Sequence, residues 1–274
     1  MLIRIVSALI PLPFILWLIW SGGWFFGGLI LVVAAICLYE AAAMTIPGDS
    51  LSAALLVGSG LGLVFSLLTG RLATPFGILF PSFGFVLLLL FFLFRPGAME
   101  TVHHRIGGAL LTLAWGGLLV STIGVLSLLP SGNAWVLLAC VIAWGSDTGA
   151  YFAGRFLGKR KLYEKVSPKK TWAGAVGGVL SATALAFVFR VWLGPSSLPL
   201  EALAILAPVG AALGQTGDLA ESLLKRSVGV KDSGKIMPGH GGLLDRIDAL
   251  VFVAPWLLAY AVGILGLPLS WLTL

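Results

Sequence analysis

The sequence predicts an all-α fold, a polytopic integral membrane bundle of about nine transmembrane helices. Three observations predict it. Hydrophobic residues make up 59% of the 274 positions and charged residues only 10%, where soluble domains carry roughly 25% charged residues; mean hydropathy is +1.05. The charges separate uncharged runs about as long as the roughly 20 residues a helix needs to cross a bilayer. The lysines and arginines also fall almost entirely in loops of one side. The same composition excludes a disordered chain, a disulfide scaffold and collagen, which need low hydrophobicity, many cysteines and a strict glycine period respectively. Cys37 and Cys140 both lie inside apolar runs, where a thiol behaves as a small hydrophobe, so redox chemistry is not indicated.

Taken in order, residues 5–39 form one uncharged run interrupted by Ser21, Gly22 and Gly23, which reads as two helices around a tight turn. Arg4 before an apolar stretch has the look of a signal peptide. No small-x-small cleavage site follows, however, and Trp24 to Tyr39 continues as a second span, so the segment reads as a retained helix. Residues 50–70 and 72–94 give one helix each, and 106–146 gives two, around Pro130, Ser131, Gly132 and Asn133. Residues 171–189, the stretch from 202 and residues 249–274 supply one each. This divides the chain into an N-terminal region, 1–129, with five helices, and a C-terminal region, 130–274, with four helices and the loops 154–170 and 225–243, where catalysis is expected if the chain is an enzyme.

With nine spans, Arg4, Arg95, Arg105, the seven basic residues from Arg155 to Lys170, Lys225, Arg226, Lys231, Lys235 and Arg246 share a side, opposite Arg71 and Arg190. The positive-inside rule then makes the N-terminus and the polar loops cytoplasmic and the C-terminus external, in a cell inner (cytoplasmic) membrane. The net charge of +6 therefore gathers on one membrane face. Nucleic acid is a poor explanation, because the basic loops have neither a nucleic-acid fold nor interleaved aromatics. Anionic lipid headgroups and phosphate-bearing substrates fit better.

Polar chemistry is sparse in the first half. Adjacent His103 and His104 do not face each other on a helix and read as part of a solvated interfacial loop. Glu40, near the end of its helix, is expected to reach the interface, the alternative being a structural role inside the bundle. The second half is different. Asp147, Tyr151 and Arg155 are spaced by four, hence on one helix face, which suits either a polar cavity or an interfacial belt. Ser167 and Pro168 suit a helix start, and free N–H groups beside Lys169, Lys170 and Thr171 make an anion site; a loop that only sets orientation would need the lysines but not this order.

Asp218, Glu221, Ser222 and Lys225 form one polar stripe on an otherwise apolar helix, and Gly210, Gly214 and Gly217 keep its surface small enough for another helix to approach. The loop Lys231-Asp232-Ser-Gly-Lys235-Ile-Met-Pro238-Gly-His240-Gly241-Gly242 is free to bend around a ligand, although a lone histidine such as His240 is a weak signal. Asp245 and Asp248, three apart, are expected on one side of the last helix's first turn. Asp218, Asp245 and Asp248 would repel one another unless a cation stood between them, and hard oxygen ligands favour magnesium. Salt bridges to Lys225, Arg226 and Arg246 are the alternative reading.

As a string, Ser222 to Asp248 closely resembles the signature of phosphatidate cytidylyltransferases, the CDP-diacylglycerol synthases. Ser146-Asp147 with Tyr151, Gly154 and Arg155, and Ser167 to Trp172 with Gly174, Gly177 and Gly178, are also similar to that family. The position after Trp172, often acidic or amide there, is Ala173 here. The resemblance covers residues 144–250 and implies that CTP and phosphatidic acid give CDP-diacylglycerol and pyrophosphate, with magnesium required and a second cation admitted. A phosphate monoester, with a second pKa of roughly 6 for phosphoserine, is already a nucleophile near neutral pH, so position and charge must do most of the catalysis.

The resemblance places Asp218, Asp245 and Asp248 on the metal, with Lys225 and Arg226 completing the catalytic set. It gives Asp147, Tyr151, Ser167, Lys169, Lys170, Thr171, Ser222, Lys231, Asp232, His240, Gly241, Gly242 and Arg246 to substrate binding, in a homodimer embedded in the lipid bilayer. A CTP-dependent polyprenol kinase, releasing CDP, is the alternative enzyme. A transporter would need its charges near the bilayer midplane, whereas these cluster at one face. The paired Asp-x-x-Asp-Gly motif of alcohol phosphotransferases that consume CDP-diacylglycerol is absent.

Overall fold

The computed structural model describes residues 11–74, 79–236 and 241–272, and Arg4 lies outside them. The architecture is helical throughout, apart from one small hairpin. Helices α1 (Pro11–Ser21) and α2 (Gly23–Thr45) meet at Gly22, whose positive φ of 61° makes the tight turn read from the sequence. Helix α3 (Ser50–Leu68) is capped by Asp49, which accepts from the Ser52 backbone N–H at 3.1 Å and from its hydroxyl at 2.6 Å. The same carboxylate pairs with Arg105, and Arg95 stands 3.9 Å away. Helix α4 (Leu79–Phe94) follows.

The next span, Met99–Leu126, contains α5 (Val102–Thr112), a π-helical stretch (Leu113–Leu119) and α6 (Val120–Leu126). The long α7 (Gly132–Leu157) follows the turn at Pro130–Ser131. Strands β1 (Lys161–Tyr163) and β2 (Ser167–Thr171) then pair antiparallel, Lys161 opposite Thr171 and Tyr163 opposite Ser167. Helices α8 (Trp172–Trp192), α9 (Leu203–Ser227), α10 (Leu244–Ile247) and α11 (Leu250–Gly263) complete the chain.

Among the described residues, six helices are long and apolar enough to cross a membrane: Gly23–Thr45, Ser50–Leu68, Met99–Leu126, Gly132–Leu157, Trp172–Trp192 and Leu203–Ser227. Three further apolar helices, Leu12–Ser21, Ser82–Phe94 and Leu250–Gly263, are shorter. Every expected span thus has a helix, but length and composition support crossing for six only. The 14 residues of α11 rise about 21 Å at 1.5 Å each, short of the roughly 30 Å hydrocarbon core. The uncharged run after Gly263 does not extend the helix. Gly266 (φ 62°) and Pro268 break it, and Ser270 and Leu272 donate their N–H groups to the carbonyls of Leu128 and Leu68 at the ends of α6 and α3.

One buried apolar cluster runs through both halves of the chain, from Ile19, Ile30 and Leu38 through Trp135 and Ile142 to Leu250 and Leu257. Helices α7 and α8 lie together along small residues, Gly145, Gly149 and Ala153 facing Gly177, Ser181 and Ala182. Gln215 of α9 ties both to its own helix, donating to the Ser146 hydroxyl at 2.9 Å and the Ala175 carbonyl at 3.0 Å. Against the other side of α9 lies α11. Gly217 is required there, since a Cβ would run into the Asp248 carbonyl and the Phe252 ring. The glycine face read from the sequence therefore does receive a helix, and that contact sets α9 beside Asp248.

Candidate active site

Polar side chains from α7, β2, α9 and the α10–α11 corner meet at one end of the bundle. Helix α9 supplies the stripe: Gln215, Asp218, Glu221 or Ser222, and Lys225 recur every three or four residues and so share a face. Ser222 donates weakly to Asp218 Oδ1 at 3.4 Å. Lys170, the fourth residue of β2, reaches across to Asp218 Oδ2 at 2.7 Å. Asp147, exposed on α7, is within electrostatic reach of Asp218, Lys170 and Arg246. Asp248 faces the same group of charges. Burial and the negative charge of Asp218 push its carboxyl up from the usual carboxylate range, against the Ala249 N–H that it accepts at 2.7 Å.

Asp245 does something else. Its Oδ1 accepts from the Lys225 ammonium, and its Oδ2 accepts from the Ser233 N–H at 2.8 Å, the Ser233 hydroxyl at 3.0 Å and the Gly242 N–H at 2.9 Å. Burial works against the ionised form here, but the Lys225 charge and these N–H donors outweigh it and hold the carboxyl below its ordinary value. Lys225, itself buried, stands between Asp245 and the fully buried Glu221, whose Oε2 is 3.3 Å away. Asp245 and Asp248 both lie within electrostatic reach of Glu221; Asp245 is further held by the loop and Lys225, and Asp248 stands within reach of Asp218.

The loop that Asp245 holds is also held from the far end of the chain. Glu40 of α2, 2% exposed, accepts from the N–H groups of Leu243 and Leu244 at 3.1 and 2.9 Å and from the Ser233 hydroxyl at 3.1 Å. The expectation that Glu40 reaches the interface is corrected by this burial. A glycine is needed at 242, where a Cβ would meet Ser233 Oγ and both Glu40 oxygens. The signal for Glu40 was an ionisable residue closing a long uncharged run, and for Gln215 its place one turn before Asp218 on the same stripe.

The anion segment also differs from its expected form. Ser167 and Pro168 lie in β2 and do not start the helix. Thr171 is the N-cap, its hydroxyl accepting from the Gly174 N–H at 3.1 Å, so that oxygen is committed to α8. Lys161 donates to the Pro168 carbonyl at 2.7 Å, half-buried Lys170 is paired with Asp218, and Lys169 is exposed. Lys231, Asp232, Arg226 and Arg246 are exposed, with Arg226 donating to the Val230 carbonyl at 3.3 Å. Tyr151 is exposed and accepts from Arg155 at 3.3 Å. Gly241 lies beside Asp245 and Asp232. His240 lies outside the described residues.

Among the described residues, no group of three His, Cys, Asp or Glu side chains converges closely enough to hold a metal ion. The donor chemistry nevertheless suits a hard cation. Asp147, Asp218 and Asp248 repel one another, and Lys170 and Arg246 are the opposing charges set against Asp147.

Residues 2–263 match the profile of the Cytidylyltransferase family. The chain belongs to this family. It is similar to the phosphatidate cytidylyltransferase of Bacillus subtilis, with 47% identity over 126 residues, 46% of each chain. The enzyme of the same name from Haemophilus influenzae is 44% identical over 126 residues, 44% of this chain and 43% of that one. The chain thus covers a little under half the length of these two relatives. A phosphatidate cytidylyltransferase of Brucella suis is 31% identical over 268 residues, 92% of this chain and 89% of the relative. Family and apolar helices together make this a multi-pass membrane protein of the nucleotidyltransferase class.

Proposed function

We propose that the protein is a magnesium-dependent CTP:phosphatidate cytidylyltransferase. The observation that carries the reading is the ion pair of Lys170 with Asp218, which sets a basic hairpin against the acidic stripe of α9. A nucleotide triphosphate and a phosphomonoester lipid both need cations, and their reaction needs a place where negative charge is gathered and balanced. A phosphatidate oxygen attacks the α-phosphorus of CTP, a new phosphorus–oxygen bond forms, the bond to the β-phosphate bridge breaks, and pyrophosphate leaves. Lys169 and Lys170, with Arg226 in the last turn of α9 and Lys231 on the loop after it, bind and orient phosphate oxygens. Lys225, enclosed by Glu221 and Asp245, holds the loop in place.

Asp218 and Asp248, with Asp147 beside them, are the residues that would hold magnesium, which supplies neutralisation of phosphate charge when bound. The sequence reading gave Asp245 to the metal as well. Its oxygens are taken by Lys225, Ser233 and Gly242, so we assign it to the loop. The charge asymmetry supports a cytoplasmic face for the hairpin and for the 225–243 loop, in an inner membrane.

Pyrophosphate release tests the reaction. The purified protein given CTP and magnesium should release pyrophosphate only when phosphatidate is added, and chelation of the metal should abolish it. CTP turnover independent of phosphatidate would defeat the reading.

A further inference from the structure

We propose that Glu40 is a positioning residue for cytidylyl transfer, a buried carboxylate through which the N-terminal half fixes the loop and the turn that carry Asp245 and Asp248. The proposal rests on the activity above for its kinetic arm only.

A carboxylate that is 2% exposed persists only where donors replace its water. Glu40 has two backbone N–H donors and shares the single Ser233 hydroxyl proton with Asp245, and all belong to the segment some 200 positions further on. Its Oε1 takes the Leu243 N–H, and its Oε2 takes the Leu244 N–H and faces the Ser233 hydroxyl, so both ends of the 233–244 loop are tied to one side chain. Ser233 Oγ is also 3.0 Å from Asp245 Oδ2, and Asp245 binds Lys225, so one continuous set of contacts links α2 to α9. Gly234 and Gly242 are the positions where the loop backbone closes on Glu40, since a Cβ at either would strike its carboxylate. Leu244 begins the helical turn that leads to Asp248. Anchoring its N–H therefore fixes where the Asp248 carboxylate stands relative to Asp218. A static buttress would need only apolar packing between α2 and this corner, whereas Glu40 fixes individual backbone groups.

Glu40→Gln keeps the volume but turns an acceptor oxygen into an NH2 facing an N–H or hydroxyl donor. We expect the inserted variant to lose about tenfold or more in kcat, with a smaller change in KM for CTP, as for misplaced catalytic groups. Amide hydrogen exchange in detergent should accelerate at 241–244 and 231–236 and stay as in wild type along α7 and α8. Wild-type kcat, or unchanged exchange at 241–244, would overturn the proposal. If Glu40→Gln does not accumulate, Ser233→Ala decides: lower kcat with faster exchange at 241–244 supports the anchor, and wild-type values of either overturn it. An inactive wild type would count against the proposed reaction alone, and the exchange measurement would then decide the anchor by itself.

Discussion

Asp218 and Asp248 come to one place from different elements, and Asp245, three residues before Asp248, does not join them. The difference is set by partners. Asp248 is pushed up in pKa by burial and by the neighbouring Asp218, while at Asp245 the Lys225 ammonium and two N–H groups outweigh burial and hold it down. This separates their mutants. Asp218→Asn and Asp248→Asn should each lower turnover by about 10² or more, as when a charge-stabilising group is removed, and raise the magnesium concentration needed for half-maximal rate. Asp245→Asn should lower turnover without moving the magnesium requirement, because it loosens the loop and leaves Lys225 poorly paired. Magnesium titrations of the three variants check this, and a shift for Asp245→Asn equal to the others would return that residue to the metal. The stripe on α9 and the two later aspartates were legible in the sequence, since helical spacing alone puts side chains on a face. Glu40 was not. Helical spacing says which residues of one element are neighbours and nothing about a partner two hundred positions away.

At the scale of elements, the helix sequence was legible from charge spacing because burying a charge in hydrocarbon costs several kcal/mol. The hairpin was not, because Ser167-Pro168 and Thr171 both carry helix-start chemistry. The structure selects Thr171, whose hydroxyl caps α8 while its Cα is opposite Lys161 and Ser167 stays opposite Tyr163 of β1. The same cap fixes the direction in which α8 leaves the hairpin. If α8 crosses the membrane, Arg160 before it and Ser196 after it lie on opposite sides; both are exposed. In a background with the buried Cys37 and Cys140 replaced by alanine, a Ser196→Cys variant should react with an impermeant thiol reagent on intact cells. An Arg160→Cys variant should react only after permeabilisation. Labelling of the second from outside would reverse the orientation.

Across the whole molecule, the N-terminal and C-terminal regions that the charge distribution separates share one apolar core. They also share the Glu40 contacts, so the polar-poor first half bears directly on the site. Polarity marked where chemistry is concentrated, but it could not show which helices support that chemistry, since apolar packing leaves no distinctive pattern in a sequence that is apolar nearly everywhere. The central claim is transfer of a cytidylyl group to a lipid phosphate at the meeting of hairpin and acidic helix ends. The fate of the phosphorus atoms tests it most directly. With CTP labelled at the α-phosphate, label should enter the lipid product in the presence of phosphatidate and magnesium, and with CTP labelled at the γ-phosphate it should appear only in pyrophosphate. Label passing from the γ-position into lipid, with CDP released, would contradict the account and make the protein a lipid kinase.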